Sequence, residues 1–341
     1  MWVSEPEVNM QCKLLTAVTA ALLMLGISTS QANERVIFSL NWVPYGLHYG
    51  IFAAEAQGYY REAGLEIDIQ RGYGSGDTVK RTATGAADIG MADMASVIVG
   101  RGNGLAVKQV ATLLDRSADA IFYLKDTGIS TPKDLPGRSL GATIGETTLN
   151  LMPVFAANAG FDHKKVEIVN LAPPAKFPTF VSKKVDAIVA FRTEESGILA
   201  AASKAGVAVD RFLFSDFGVD YYSIGFIVSD EMLAKRPEMV RRFLAATLRG
   251  YAFAFKNPQA AADMFIKRFP ESNRDLSFAQ WSVSTEHVLT DRTRANGLGY
   301  IDREKMQHTL DLITKYHEVK QAVALDDVYS SAVLTKIDAA D

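Results

Sequence analysis

The chain has 341 residues, 48% hydrophobic and 22% charged; it is too long for one small module and too balanced for a disordered protein, so two core-bearing units are expected. Lys plus Arg number 36 against 39 Asp plus Glu, a formal charge of -3, which leaves no basic excess for a phosphate backbone and excludes nucleic acid as an expected partner. One cysteine, Cys12, cannot form an internal disulfide, a thiolate zinc site or an iron-sulfur cluster, and no metal or other cofactor is expected.

From Met10 the chain reads MQCKLLTAVTAALLMLGISTSQA, with Lys13 ahead of an apolar run from Leu14 to Ile27 and small residues Ser30 and Ala32 flanking Gln31. This pattern predicts a secretory signal peptide ending at residue 32, and hence a periplasmic protein. The run is shorter than the roughly 20 residues needed to cross a bilayer. Glu5 and Glu7 lie where such a signal wants positive charge, so Met10 is the expected start. Cys12 precedes the apolar run, which excludes the lipid-attached form. Cleavage after Ala32 would leave 341 - 32 = 309 residues with no cysteine and a charge of -3 + 1 = -2, since Glu5, Glu7 and Lys13 depart.

The next elements alternate. Arg35–Leu40 reads as a buried strand, Tyr49–Glu62 as a helix closed by Ala63-Gly64, and Leu65–Gln70 as a strand. Thr78–Gly85 reads as a helix and Asp88–Ala92 as a strand. Strand–helix alternation predicts a parallel sheet with helices on its faces. After Leu124 the segment KDTGISTPKDLPG marks a turn, and the pattern restarts. Strands are expected at Arg138–Ile144, Val166–Leu171 and Val185–Phe191, with helices through Leu149–Asn158 and Phe177–Ser182. GAADIGMAD in the first unit is matched by KKVDAIVAF in the second. Ser223–Ser229 is expected to return to the first unit, followed by helices from Pro237 to Phe255, Ala260 to Arg268 and Asp302 to Tyr316. The predicted organisation is therefore lobe 1 over 33–124 plus 225–341 and lobe 2 over 125–224, with two crossings.

Parallel sheets bind ligands at the carboxyl ends of their strands. The loop NWVPYGLH puts Asn41, Trp42, Tyr45 and His48 on one connection stiffened by Pro44, suited to sandwiching a flat ligand. Trp42 as a plain core plug is the alternative. GYGSGDT offers backbone amides and Ser75 ahead of a helix, either an anion cradle or ordinary turn chemistry. Met91 and Asp93 follow the third strand. In the second unit Glu146 and Thr147 stand at a helix start, and Phe191, Arg192 and Glu194 follow the matching strand. Arg192 could meet a ligand anion, bridge the lobes or make a surface salt bridge. Tyr222 lies near the return crossing. The five histidines show no HExxH spacing, and no GxSxG elbow is present.

The stretch NWVPYGLHYGIFAAEAQGYYREAGLEIDI, with GYGSGDTVKRTATGAADIGMAD, STPKDLPGRSLGATIG and VDAIVAF, resembles periplasmic solute-binding proteins of ABC importers in the nitrate, sulfonate and taurine group. The branch it resembles most includes the NMT1/THI5-like thiamine-pyrimidine-precursor binders. The resemblance implies an α/β, two-lobed periplasmic binding protein of type II, each lobe a mostly parallel sheet flanked by helices, with a two-strand hinge. It implies a monomer that captures a small aromatic or heteroaromatic solute and hands it to permease and ATPase subunits. In that branch aspartate is commoner at the position of Asn41 and asparagine frequent at that of Tyr45, which leaves a sulfonate, nitrate or aromatic acid as alternative solutes. Relatives that synthesise pyrimidines carry a cysteine-rich motif. The chain lacks it after Cys12, so a non-enzyme is expected, with an enzyme or a sensor input as the readings from other classes.

Overall fold

The computed structural model describes residues 1–2, 33–317 and 319–338; the expected signal peptide lies outside the described residues. In the first sheet β1 (Glu34–Ser39) pairs in parallel with β2 (Leu65–Gln70) on one side and β3 (Ile89–Asp93) on the other. The sequence predicts a single helix from Tyr49 to Glu62. The structure ends α1 (Tyr49–Gln57) at Gly58, whose φ of 77° is open to glycine and turns the chain before it continues. α2 (Ser75–Ala83) joins β2 to β3, and α3 (Met94–Gly102) leads from β3 to β4 (Val107–Thr112).

The chain then crosses over through residues 113–118 into the second sheet, built from β5 (Asp119–Leu124), β6 (Ser139–Ala142), β7 (Glu167–Asn170), β8 (Ala187–Phe191) and β9 (Val209–Leu213). β10 (Ile224–Ser229) returns to the first. The strand orders are β2-β1-β3-β10-β4 and β7-β6-β8-β5-β9, so the repeat seen in the sequence is one architecture used twice. In each sheet four strands run one way and the fifth runs against them. β10 is antiparallel to β3 and β4, and β5 is antiparallel to β8 and β9. The cause is the hinge. The other strands end at the cleft, whereas β5 and β10 begin there because the chain has just crossed, so each must run away from it. The sequence reading placed the first crossing after Leu124; β5 belongs to the second sheet, and the crossing lies before Asp119.

Helices cover the sheets. In the second lobe these are α4 (Thr147–Asn150), α5 (Pro173–Val181) and α6 (Glu195–Ala205). The carboxyl-terminal part adds α7 (Pro237–Lys256), α8 (Pro258–Arg268), α9 (Arg274–Val288) and α10 (Arg303–Tyr316). On α7, Val240, Phe243, Leu244, Leu248 and Tyr251 recur at three- and four-residue spacing and are all buried. This stripe packs on α1 and on β1, where the Phe38 and Phe243 rings meet edge to face at 4.9 Å. Tyr251 donates its hydroxyl proton to the Leu47 carbonyl (3.0 Å), fixing the base of the aromatic loop.

Candidate functional site

The Asn41–His48 loop is held from within by His48. Its Nδ1 accepts the Tyr45 N–H (3.2 Å), which leaves Nε2–H to donate to the Asn41 side-chain oxygen (3.1 Å). Burial pulls the His48 pKa down to about 3, so the ring stays neutral in this role. With its oxygen taken, Asn41 turns its carboxamide so that the N–H2 is the group left over.

The second loop is clamped onto the first. The N–H groups of Gly72 and Gly74 donate to the carbonyls of Trp42 (3.0 Å) and Asn41 (2.9 Å). A β-carbon on Gly72 would lie 2.2 Å from the Leu40 carbonyl oxygen, so only glycine permits this approach. Ser75 begins α2 and accepts the backbone N–H of Asp93 (3.0 Å).

Opposite these loops stand Glu146, Thr147, Phe191 and Glu194 of the second lobe. Together with Asn41, Trp42, Tyr45, Gly74 and Ser75 they enclose a cavity of about 310 Å³ including its mouth. The lobes are closed over it. Gly76 N–H donates to the Gly145 carbonyl (3.1 Å), the Tyr45 hydroxyl meets Thr193 Oγ1 (2.9 Å), and Ser96 Oγ meets Thr147 Oγ1 (3.3 Å).

The charges of the cavity come from one buried group of three. Glu146 accepts the Thr143 N–H (3.0 Å) on one oxygen and pairs with Lys176 on the other. Lys176 is fully buried, with Nζ 4.8 Å from the Trp42 ring centroid and 5.7 Å from that of Phe177. Burial raises the pKa of Glu194, and the Glu146 carboxylate adds to this; Lys176, the Phe191 N–H and the Trp42 indole N–H work against them. Two carboxylates thus face the cavity while the ammonium stands behind them, outside its lining.

Nine residues line this space, and seven of them, Asn41, Trp42, Tyr45, Ser75, Thr147, Phe191 and Glu194, are among the candidates of the sequence analysis, as is Glu146. The remaining candidates lie elsewhere. His48 is behind Asn41, and Met91 is fully buried in the core of the first lobe. Arg192 points away, making ion pairs with Glu286 (2.7 Å) and Glu195 (3.6 Å). Tyr222 is fully buried, its hydroxyl accepting the Asp302 N–H (2.8 Å). Asp93 caps α3 through the Ala95 N–H (2.8 Å) and receives the hydroxyls of Ser223 (2.6 Å) and Tyr221 (3.1 Å). The Tyr221 hydroxyl is equally close to Asp119 (2.6 Å). It therefore joins the ends of both sheets at the return crossing. Burial pushes the pKa values of Asp93 and Asp119 up. Sequence reasoning missed Lys176. A single charge inside the apolar, proline-rich run Pro173–Val181 was the available signal.

Two similar α/β lobes, crossed twice by the chain and closed over a cavity at their strand ends, define the periplasmic-binding-protein fold. The family model described as NMT1/THI5 like matches residues 46–261, and the chain belongs to that family. It is 24% identical to a formylaminopyrimidine-binding protein of Halalkalibacterium halodurans, over 94% of this chain and 98% of that one. It is 27% identical to the 4-amino-5-hydroxymethyl-2-methylpyrimidine phosphate synthase THI11 of Saccharomyces cerevisiae, over 79% and 83%. Among solved structures, the periplasmic aliphatic sulphonate binding protein SsuA of Escherichia coli aligns over 84% of this chain and 95% of that one, with a TM-score of 0.61 and 15% identity.

Proposed function

We propose that this protein is the solute-capturing subunit of an ABC importer for a small, flat nitrogen heteroaromatic of the aminopyrimidine class. One observation carries the reading: an aromatic cavity whose charged lining groups are the carboxylates Glu146 and Glu194. Such a wall repels a sulfonate, a nitrate or an aromatic acid. It suits a ring that presents N–H donors to carboxylates while its faces lie against Trp42, Tyr45 and Phe191. The volume sits at the low end of ligand sites, which favours a single ring. The formylaminopyrimidine-binding relative supports the same class of solute.

The reading is of a binder that releases its solute unchanged. Among the described residues the cavity lining contains no histidine or lysine, and the nearby His48 has both nitrogens engaged in holding the loop. In this proposal the chain acts as a periplasmic monomer that delivers the closed complex to a permease and its ATPase. The leader pattern from Met10 to Ala32 supports export, and mass spectrometry of the secreted protein should then find an amino terminus within a few residues of Asn33.

Calorimetric titration of the protein beginning at Asn33 with a formylaminopyrimidine, and separately with taurine, tests the function. Saturable binding of the pyrimidine is expected, with about 2.7 kcal/mol of stabilisation at 100 times its dissociation constant, and recovery of the compound intact. Binding of taurine without the pyrimidine would overturn the choice of solute. Recovery of a chemically altered pyrimidine would overturn the transport reading in favour of an enzyme.

A further inference from the structure

A second crevice opens beside the hinge. It measures about 780 Å³ including its mouth and shares no lining residue with the Trp42 cavity. Its walls come from the first crossing (Arg116, Ser117), the second crossing (Asp220), the strand ends of the second lobe (Arg192, Ser215) and α9 (His287).

The polar groups here are unequally satisfied. Every acid has a partner. Asp119 receives the hydroxyls of Tyr221 (2.6 Å), Thr148 (2.7 Å) and Ser117 (3.1 Å). Asp220 accepts the Ser117 N–H (3.3 Å) and faces Lys305 (3.6 Å), and Glu286 is taken by Arg192. The donors are left over. Arg116 makes no ion pair among the described residues, and the buried Nε of Arg192 has no hydrogen-bond partner. His287 is 7% exposed, and neither of its ring nitrogens makes a hydrogen bond, although the Arg116 carbonyl stands near the ring. Its pKa falls to about 4, through burial first and then Arg192 and Arg116, while Glu286 opposes them.

Buried donors without acceptors are costly, and two guanidinium groups converging on an imidazole repel one another unless an anion lies between them. Guanidinium presents N–H groups in a fork that matches a phosphate or carboxylate edge. We propose that this hinge crevice is a second binding site, which takes a small oxyanion such as phosphate between Arg116, Arg192 and His287. Because its walls come from both sheets and both crossings, an anion held there favours the closed arrangement in which they converge.

The test is calorimetric titration with inorganic phosphate, and with chloride at matched ionic strength, on the protein beginning at Asn33, alongside NMR observation of the His287 ring. Saturable phosphate binding that shifts the His287 resonances is expected in the wild type and in Trp42→Ala, whose other cavity is damaged. Arg116→Ala, at an exposed position that the fold does not need, should weaken it at least tenfold, and His287→Gln should weaken it too. Phosphate binding equal in Arg116→Ala, binding lost in Trp42→Ala, or a response reproduced by chloride would each overturn the proposal. So would the absence of saturable binding.

Discussion

Replacing Lys176 with methionine is expected to lower stability by about 3 to 5 kcal/mol at pH 8, because the ammonium neutralises two carboxylates that have no water to turn to. Glu146 and Glu194 are each 7% exposed and Lys176 is fully buried. Methionine keeps the length and apolar body of lysine, so the loss reports charge and not packing. The effect has a direction in pH. Glu194 is held above the ordinary carboxylate value by burial, and a carboxyl raised in the folded state weakens the fold at pH above both values. That cost fades as pH falls through the folded value toward the unfolded one near 4.3. Removing Lys176 raises the folded value further. The variant should therefore lie far below the wild type at pH 8 and draw closer to it near pH 5. Urea denaturation at the two pH values decides the matter. A difference below about 1 kcal/mol at pH 8, or one independent of pH, would show that the three groups do not act as a unit.

This charge group marks where sequence reading reached its limit. The strands ending at Ser39, Gln70, Asp93 and Phe191 were legible because their apolar runs are bounded by glycine or polar residues, and the loops after them hold most of the cavity lining. β4 was not legible. Its Lys108 and Gln109 break the pattern, and Gln109 is nevertheless buried, donating to the Ser223 carbonyl (3.3 Å) from the neighbouring strand β10. β5 was masked by the expectation that the first lobe continues to Leu124, and only its antiparallel pairing with β8 and β9 assigns it to the second. α9 shows no apolar stripe, because it packs on the aromatic loop and on α6 from opposite sides. Arg192 carried the right chemistry in the wrong place. A residue one position past a strand end can face either side of the sheet edge, and here Phe191 turns to the cavity while Arg192 turns to Glu286.

Replacing Trp42 with alanine is expected to weaken binding of the pyrimidine roughly 100-fold while leaving the fold intact. The stack on a flat ring contributes about 0.5 to 1.5 kcal/mol beyond burial, and the apolar area lost adds about 1.5 to 3 kcal/mol. Even the lower part of that range is more than tenfold in affinity, since each 1.4 kcal/mol is a factor of ten. Trp42 is 7% exposed, which alone would suit a core residue. Its surroundings argue otherwise, because one side of the ring borders the cavity and Lys176 lies over it. A tryptophan packed on all sides costs about 3 to 5 kcal/mol when cut to alanine; one that borders empty space should cost less. Trp42→Phe keeps an aromatic face and should retain much of the affinity, which ties the loss to stacking and not to the shape of the loop. Titration and thermal melting of both variants separate the two roles. If Trp42→Ala loses 3 to 5 kcal/mol of stability yet binds as tightly as the wild type, Trp42 is a core residue, and the solute lies against the second-lobe wall instead.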